Sequence, residues 1–216
     1  FIRALAYWHA MDLFGTSPFV TESDLPGSFF PKRATREELF AYVESELIAI
    51  EPELGEPRFQ YGRADEAAAW MVLAKIYLNA EVYTGENRYD DAITQLDKLL
   101  GSSYTLSTEQ RQNFVADNNT SPEIIFPIIQ DGFTTQTWGG TTYLMAGAMG
   151  GGSITAQETI GITAQWGILR VTSALVNLYE PTDVRATFWS EGQTLEITDI
   201  TLFSNGYMST KFKNRK

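Results

Sequence analysis

The sequence predicts a mainly α fold. Tetratricopeptide-like helix pairs form an α/α superhelix, followed by a loop-rich region with a small β-hairpin. Three observations predict it. Four segments before Gly101 carry apolar side chains at helical spacing. After Tyr104 that spacing gives way to glycine, proline, threonine and asparagine. Near the end, Asn205-Gly206 interrupts two alternating stretches in "TLEITDITLFSNGYMSTKF", as a hairpin turn does.

The first helix is expected over about 1–14, with Ile2, Leu5, Ala6, His9 and Leu13 on one face and Gly15 as its stop. "GTSPFVTESDLPGSFFPKR" then reads as a long loop. The second helix starts at Thr35, where "TREE" is a capping box: the Thr35 hydroxyl takes the Glu38 amide and the Glu38 side chain returns the bond. Leu39, Val43, Leu47 and Ile50 form its stripe, and Pro52 and Gly55 end it. The third helix is expected over about 65–83. The fourth is expected over about 89–100, with Ala92, Ile93, Leu96 and Leu99 on one face. Trp70, Leu73, Ala74 and Tyr77 resemble the W-x-x-L-G-x-x-Y opening of a tetratricopeptide repeat, with Ala74 replacing the glycine. One such repeat cannot bury its faces alone, so neighbours must complete the stack.

In the second half, "SPEIIFPIIQ" reads as a short extended run kept at an edge by Pro127. Thr172 is expected to cap a short helix in "SALVNLYE", stopped by Pro181. The division this predicts is a helical region over 1–120 and a loop-rich region over 121–216, continuous in one domain.

Composition narrows the chemistry. A net charge of −11 and a pI near 4.5 repel nucleic acid and anionic ligands, and "KFKNRK" at the end is the only basic cluster. Neutral sugars carry no such penalty. No cysteine is present, which removes disulfides, thiol catalysis and Cys-based metal sites. The single histidine, His9, lies in a helical stretch and reads as packed or surface. Neither a metal nor a cofactor is expected. "AAAWMVLAKIYL" is broken by Lys75 and is too short to span a bilayer. "FIRALAYWHAMDLFG" opens as though already inside a helix, so the chain reads as cut from a longer protein.

"TWGGTTYLMAGAMGGG", from Thr137 to Gly152, is the most unusual stretch. It lacks the Lys of a phosphate loop. It is too aromatic for a plain connector, which leaves core packing or a binding loop. Aromatic rings beside glycines can stack on the C–H face of a sugar, and "QDGFTTQTWGGTTY" supplies hydroxyl and amide partners. Glycoside hydrolysis needs two opposed carboxylates, and no pair among the 27 acidic residues is marked by its setting. Asp183 and Arg185 read as a structural ion pair. "DNNTSPE" lacks calcium-loop spacing, and its Asn118 and Asn119 acceptor sequons matter only in a glycosylating host.

The ordered set "RALAYWHAMDLFGTSPFVTE", "RATREELFAYVESEL", "YGRADEAAAWMVLAKIYLNAEVYTG", "YDDAI", "DNNTSPEIIFPI", "WGGTTYL" and "WGILRVTSALVNLYEPTDVRATF" resembles the SusD/RagB family over nearly the whole chain. The resemblance implies a non-catalytic outer-membrane lipoprotein of Bacteroidetes-type bacteria, facing outward from the cell. Such a protein captures glycans, and sometimes peptides, for a SusC-like TonB-dependent transporter. It also implies a stack of tetratricopeptide-like helix pairs with a loop-rich ligand region. Family members are about twice this length, and their signal peptide and lipid-attachment cysteine lie upstream of the stretch matched here.

Within that reading, Trp138, Trp166 and Tyr143 are the candidate stacking platforms, and Gln136, Asp131 and Arg170 the candidate hydroxyl partners. The main rival is a tetratricopeptide-type scaffold that binds peptide or protein and no sugar.

Overall fold

A computed structural model of the protein describes residues 1–214 apart from 26, 28, 29, 151–157 and 159. Gly151 and Gly152 of the glycine-rich stretch, and Arg215 and Lys216 of the basic tail, lie outside the described residues. The chain divides into two compact units: Phe1–Thr105 with Ile125–Pro127, and Leu106–Ile124 with Ile128–Lys216.

The first unit is built of helices α1 (Ile2–Phe14), α2 (Arg36–Ile50), α3 (Glu66–Leu78), α4 (Ala80–Thr84) and α5 (Tyr89–Leu100). Helix α1 packs on α2, α2 on α3, and α3 on α5, so successive helix pairs stack. The capping box at Thr35 and Glu38 is present in both directions. Gly15, at φ 74°, stops α1 in the left-handed conformation that side chains resist. Helix α3 is the centre of the stack. Partners on both sides bury Ala67, Ala68, Ala69, Val72, Leu73, Ala74, Ile76 and Tyr77, which run almost round the helix.

Two expected faces differ. In α1 the buried side is Ala4 and Met11 with Leu5 and Trp8 against them, while Ile2 and Leu13 are exposed. In α5 only Ala92 is buried, and Ile93 and Leu96 face out. Helix α1 carries apolar residues all round, so period alone could not choose its face and packing against α2 chose it; α5 carries them on one arc, of which α3 covers only the Ala92 edge. The expected third helix also breaks at Asn79, whose side chain donates back to the Lys75 carbonyl at 3.0 Å, and α4 follows separately.

Polar contacts close the unit. Asp65 caps α3 and is 1% exposed; Oδ1 accepts the Ala68 amide at 2.9 Å. Its Oδ2 accepts the Arg58 amide at 2.8 Å and the Tyr104 hydroxyl at 2.7 Å. Burial, then the bond to Asp65, raises the Tyr104 phenol above its ordinary range. Arg88 reaches Glu44 of α2 at 2.8 Å, and its guanidinium lies over the Tyr77 ring of α3. Trp70 donates to Glu51 at 2.7 Å, and Lys98 bonds the same carboxylate at 2.8 Å. Strands β1 (Ser17–Pro18) and β2 (Arg33–Ala34) pair antiparallel across the long loop, a pairing the sequence did not announce.

The second unit contains α6 (Gly140–Ala148), α7 (Ser173–Val176) and strands β3 (Phe188–Trp189) and β4 (Met208–Ser209). Its core gathers Met145, Ala148, Met149, Ile160 and Met208, with Trp189, Phe203 and Phe212 packed against them. The methionines of the glycine-rich stretch therefore fill a core, where their flexible thioethers suit an irregular space.

Three expectations change here. The run 121–130 forms no strand. Thr172 precedes α7 without a side-chain cap bond; its carbonyl takes the Leu175 and Val176 amides instead. The hairpin does not turn at Asn205-Gly206. The Asn205 side chain accepts from the Thr198 and Asp199 amides, and the Gly206 amide donates to the Thr194 carbonyl. Those bonds fold 194–206 into a loop, so β4 pairs antiparallel with β3 instead, Phe188 opposite Ser209. Asp183 and Arg185 do form their ion pair, at 2.6 Å.

Candidate functional site

Helix α6 builds the site. Gly140 and Gly147 are poor helix formers, and the sequence reads as loop there. Packing overrides that cost. Met145, Ala146, Gly147 and Ala148 are buried, and the small residues Ala146, Gly147 and Ala148 let another segment approach closely. That segment is 166–169. A helix leaves its last carbonyls without intrahelical partners. Here the Trp166 amide donates to the Ala146 carbonyl at 2.9 Å, and the Ile168 and Leu169 amides both donate to Gly147, at 2.9 and 2.8 Å. The Gly167 amide donates to Met149 at 2.8 Å. The strap is thus stitched to the end of α6, which sets the Trp166 indole beside Tyr143, one turn back along the helix.

The result is a three-ring shelf. Trp138 and Trp166 have centroids 6.0 Å apart and planes tilted 43°; Tyr143 and Trp166 are 6.1 Å apart and tilted 56°. These separations lie within the range of favourable aromatic pairs. Trp138 is 78% exposed and Tyr143 40%, so the shelf opens to solvent.

Beside Trp138 lies a cavity of about 970 Å³, lined in part by Asp131, Gln136, Thr141, Thr142, Thr163 and Asn214. Asp131 folds its own loop: Oδ1 accepts the amides of Phe133, Thr134 and Thr135 at 2.8, 2.7 and 2.9 Å. The bonds from Thr135 and Phe133 hold its carboxyl down to about 2. Gln136 donates to the Gly132 carbonyl at 2.6 Å through its amide nitrogen, and its amide oxygen has the capacity to accept a hydrogen bond.

Of the six residues singled out from the sequence, five gather here. The three rings form the shelf, and Asp131 and Gln136 line the cavity beside it. Arg170 does not line that cavity. Its Nε donates to the Phe203 carbonyl at 3.0 Å and its Nη1 to Leu169 at 2.7 Å, and its guanidinium covers the Phe203 ring. Its part is to brace the strap. Sequence reading passed over Thr163 and Asn214, and took Thr141 and Thr142 only as part of the stretch that supplies hydroxyl partners. The two threonines of "GGTT" were visible beside the glycines. Asn214 carried no signal, because only its bonds to Ile160 and Gly161 bring it to the cavity.

No family model matches the chain. It is 41% identical over 186 residues to the starch-binding protein SusD of Bacteroides thetaiotaomicron, an alignment covering 83% of this chain and 32% of that protein. A SusD superfamily protein from Bacteroides fragilis shares the fold at a TM-score of 0.69, with 18% identity over 98% of this chain and 47% of the other. Surface glycan-binding protein A of Bacteroides thetaiotaomicron, solved in complex with laminarihexaose, superposes at 0.63, with 20% identity over 88% of this chain and 40% of that one. The chain thus spans about a third of the length of the curated relative and less than half of either solved neighbour. The ordered motifs, the stacked helix pairs and these similarities agree: the chain belongs to the SusD-like family.

Proposed function

We propose that the protein is a non-catalytic, cell-surface glycan-binding protein, and that Trp138, Trp166 and Tyr143 hold the sugar. The observation that carries this reading is the exposed three-ring shelf beside a cavity rich in hydroxyl and amide groups. A pyranose offers an apolar C–H face to an aromatic ring and hydroxyls around its edge, and this site presents both kinds of partner together. The acidic chain favours a neutral glycan over an anionic one. The named ligands of the relatives, starch and laminarihexaose, are of that neutral class and support the reading. The full function is capture at the outer membrane by a lipid-anchored protein and delivery to a SusC-like TonB-dependent transporter.

Affinity electrophoresis of the whole protein through gels containing neutral polysaccharides tests it. Retardation by at least one polymer is expected. Trp138→Ala and Trp166→Ala should each weaken it by about tenfold or more, as loss of a central aromatic contact does. Unchanged retardation in both variants removes the shelf from the site.

A second reading is a peptide- or protein-binding helical scaffold. The exposed row Tyr89, Ile93, Leu96 and Leu100 along α5 favours it. Retardation by no polysaccharide, with binding to peptides, is its signature.

A further inference from the structure

We propose that the cavity beside Trp138 receives a short neutral saccharide segment that leaves the shelf, so that the site reads a side branch or a chain end as well as a stacked backbone. This rests on the glycan reading above. Trp138 is the one shelf ring that also lines the cavity; Trp166 and Tyr143 do not. Helix α6 carries Tyr143 on one side and most of its cavity-lining residues on another. Successive residues turn by about 100°, so Thr141, Thr142 and Met145 point away from the side that carries Tyr143. Those three line the cavity. Of the three shelf rings it is Trp138 that a sugar chain shares between shelf and cavity.

The lining suits an uncharged, hydroxyl-rich occupant. Among the described residues its only charged side chains are Asp131 and Lys213. Asp131 already spends Oδ1 on three backbone amides. The rest of the polar lining is neutral, including Thr141, Thr142, Thr163, Gln136 and Asn214, with Met145, Ile162 and Phe212 supplying apolar wall. That mixture of hydroxyls, amides and apolar surface matches the faces and edges of a sugar. A volume of about 970 Å³ is at the upper end for small-molecule sites and exceeds what a single ring needs.

The test compares polymers that share a backbone, using the whole protein and isothermal calorimetry. One pair is linear against α-1,6-branched α-1,4-glucan. The other is linear against glucose-branched β-1,3-glucan. Linear oligosaccharides of rising length from each series form a third arm. A gain of about tenfold for a branched polymer over its linear partner identifies a side branch. The same gain on lengthening the linear series identifies a chain end. Either supports the proposal. Thr163→Phe and, independently, Thr142→Phe fill the cavity, and each should bring the ratio of the two affinities back towards one. Both ratios, branched to linear and long to short, near one in the unmodified protein with linear glycan still bound overturn the proposal and leave the shelf reading intact. So does a ratio that survives both substitutions. Binding of no glycan overturns both.

Discussion

The Phe203 ring lies directly on the backbone of Gly167. A β-carbon at Gly167 would fall inside that ring, and the glycine holds φ at +61°. The same ring packs against Gly150 and is covered from another side by the Arg170 guanidinium. The strap that carries Trp166 is thus held by a contact that only glycine allows.

Gly167→Ala is therefore expected to destabilise the second unit by about 2 kcal/mol or more, from left-handed strain of about 1–2 kcal/mol plus the displaced ring. The urea midpoint reads the stability. The shelf is read separately by circular dichroism, because indoles 6.0 Å apart couple, and that signal should fall as Trp166 shifts. A variant with unchanged midpoint and unchanged coupling shows that the contact is not needed.

Asp131 predicts an acid limb. Its folded pKa is held down to about 2, against 3.8 for an unperturbed group. A depressed carboxyl stabilises its loop above the unfolded pKa and loses that contribution as pH falls through the folded one. Glycan affinity should stay level from neutral pH down to about 4, then fall between about 4 and 2. Asp131→Asn keeps a carbonyl acceptor without the titrating charge, so it should bind with a flatter acid limb. Asp131→Ala should bind weakly throughout. Identical limbs in the unmodified protein and Asp131→Asn would assign the acid loss to another group.

Asp65→Ala tests the centre of the helix stack. It removes the N-cap of α3, worth about 0.5–2 kcal/mol, and takes from the Arg58 amide its Asp65 acceptor, at about 1–3 kcal/mol if the site stays dry, while the Tyr104 hydroxyl keeps the Ile125 carbonyl at 3.2 Å. A total loss of about 2–4 kcal/mol is expected from the urea midpoint. Asp65→Asn should recover part of it through its remaining carbonyl oxygen. A loss below about 0.5 kcal/mol would mean that water replaces the carboxylate.

Thr35→Ala isolates a local signal. The capping box satisfies two otherwise unpaired groups at the start of α2. Its removal should cost about 1 kcal/mol and leave glycan binding unchanged, since Thr35 touches neither shelf nor cavity. Urea denaturation and the same electrophoresis read the two effects.

The helix pairs were legible along the chain. Thr35, Asp65 and Gly15 mark helix ends through bonds or backbone geometry within a few residues of themselves, so those boundaries were readable along the chain. Equally legible was the acidic, cysteine-free character that points to a neutral ligand. The six site candidates were readable as residue types beside or within three residues of a glycine, but not as an arrangement.

The buried face of α1 came from its neighbours, because that helix is apolar all round, and so did the part of α5's single apolar arc that is covered, because α3 reaches only its Ala92 edge. Tertiary packing made a helix of Gly140–Ala148, whose intrinsic preference is weak, by covering its last carbonyls with the 166–169 strap. It assigned Arg170 to Phe203 and brought Asn214 to the cavity. Local signals reach about one helical turn, whereas the shelf and its cavity are made by residues far apart in sequence whose meeting depends on what the rest of the core leaves unpaired.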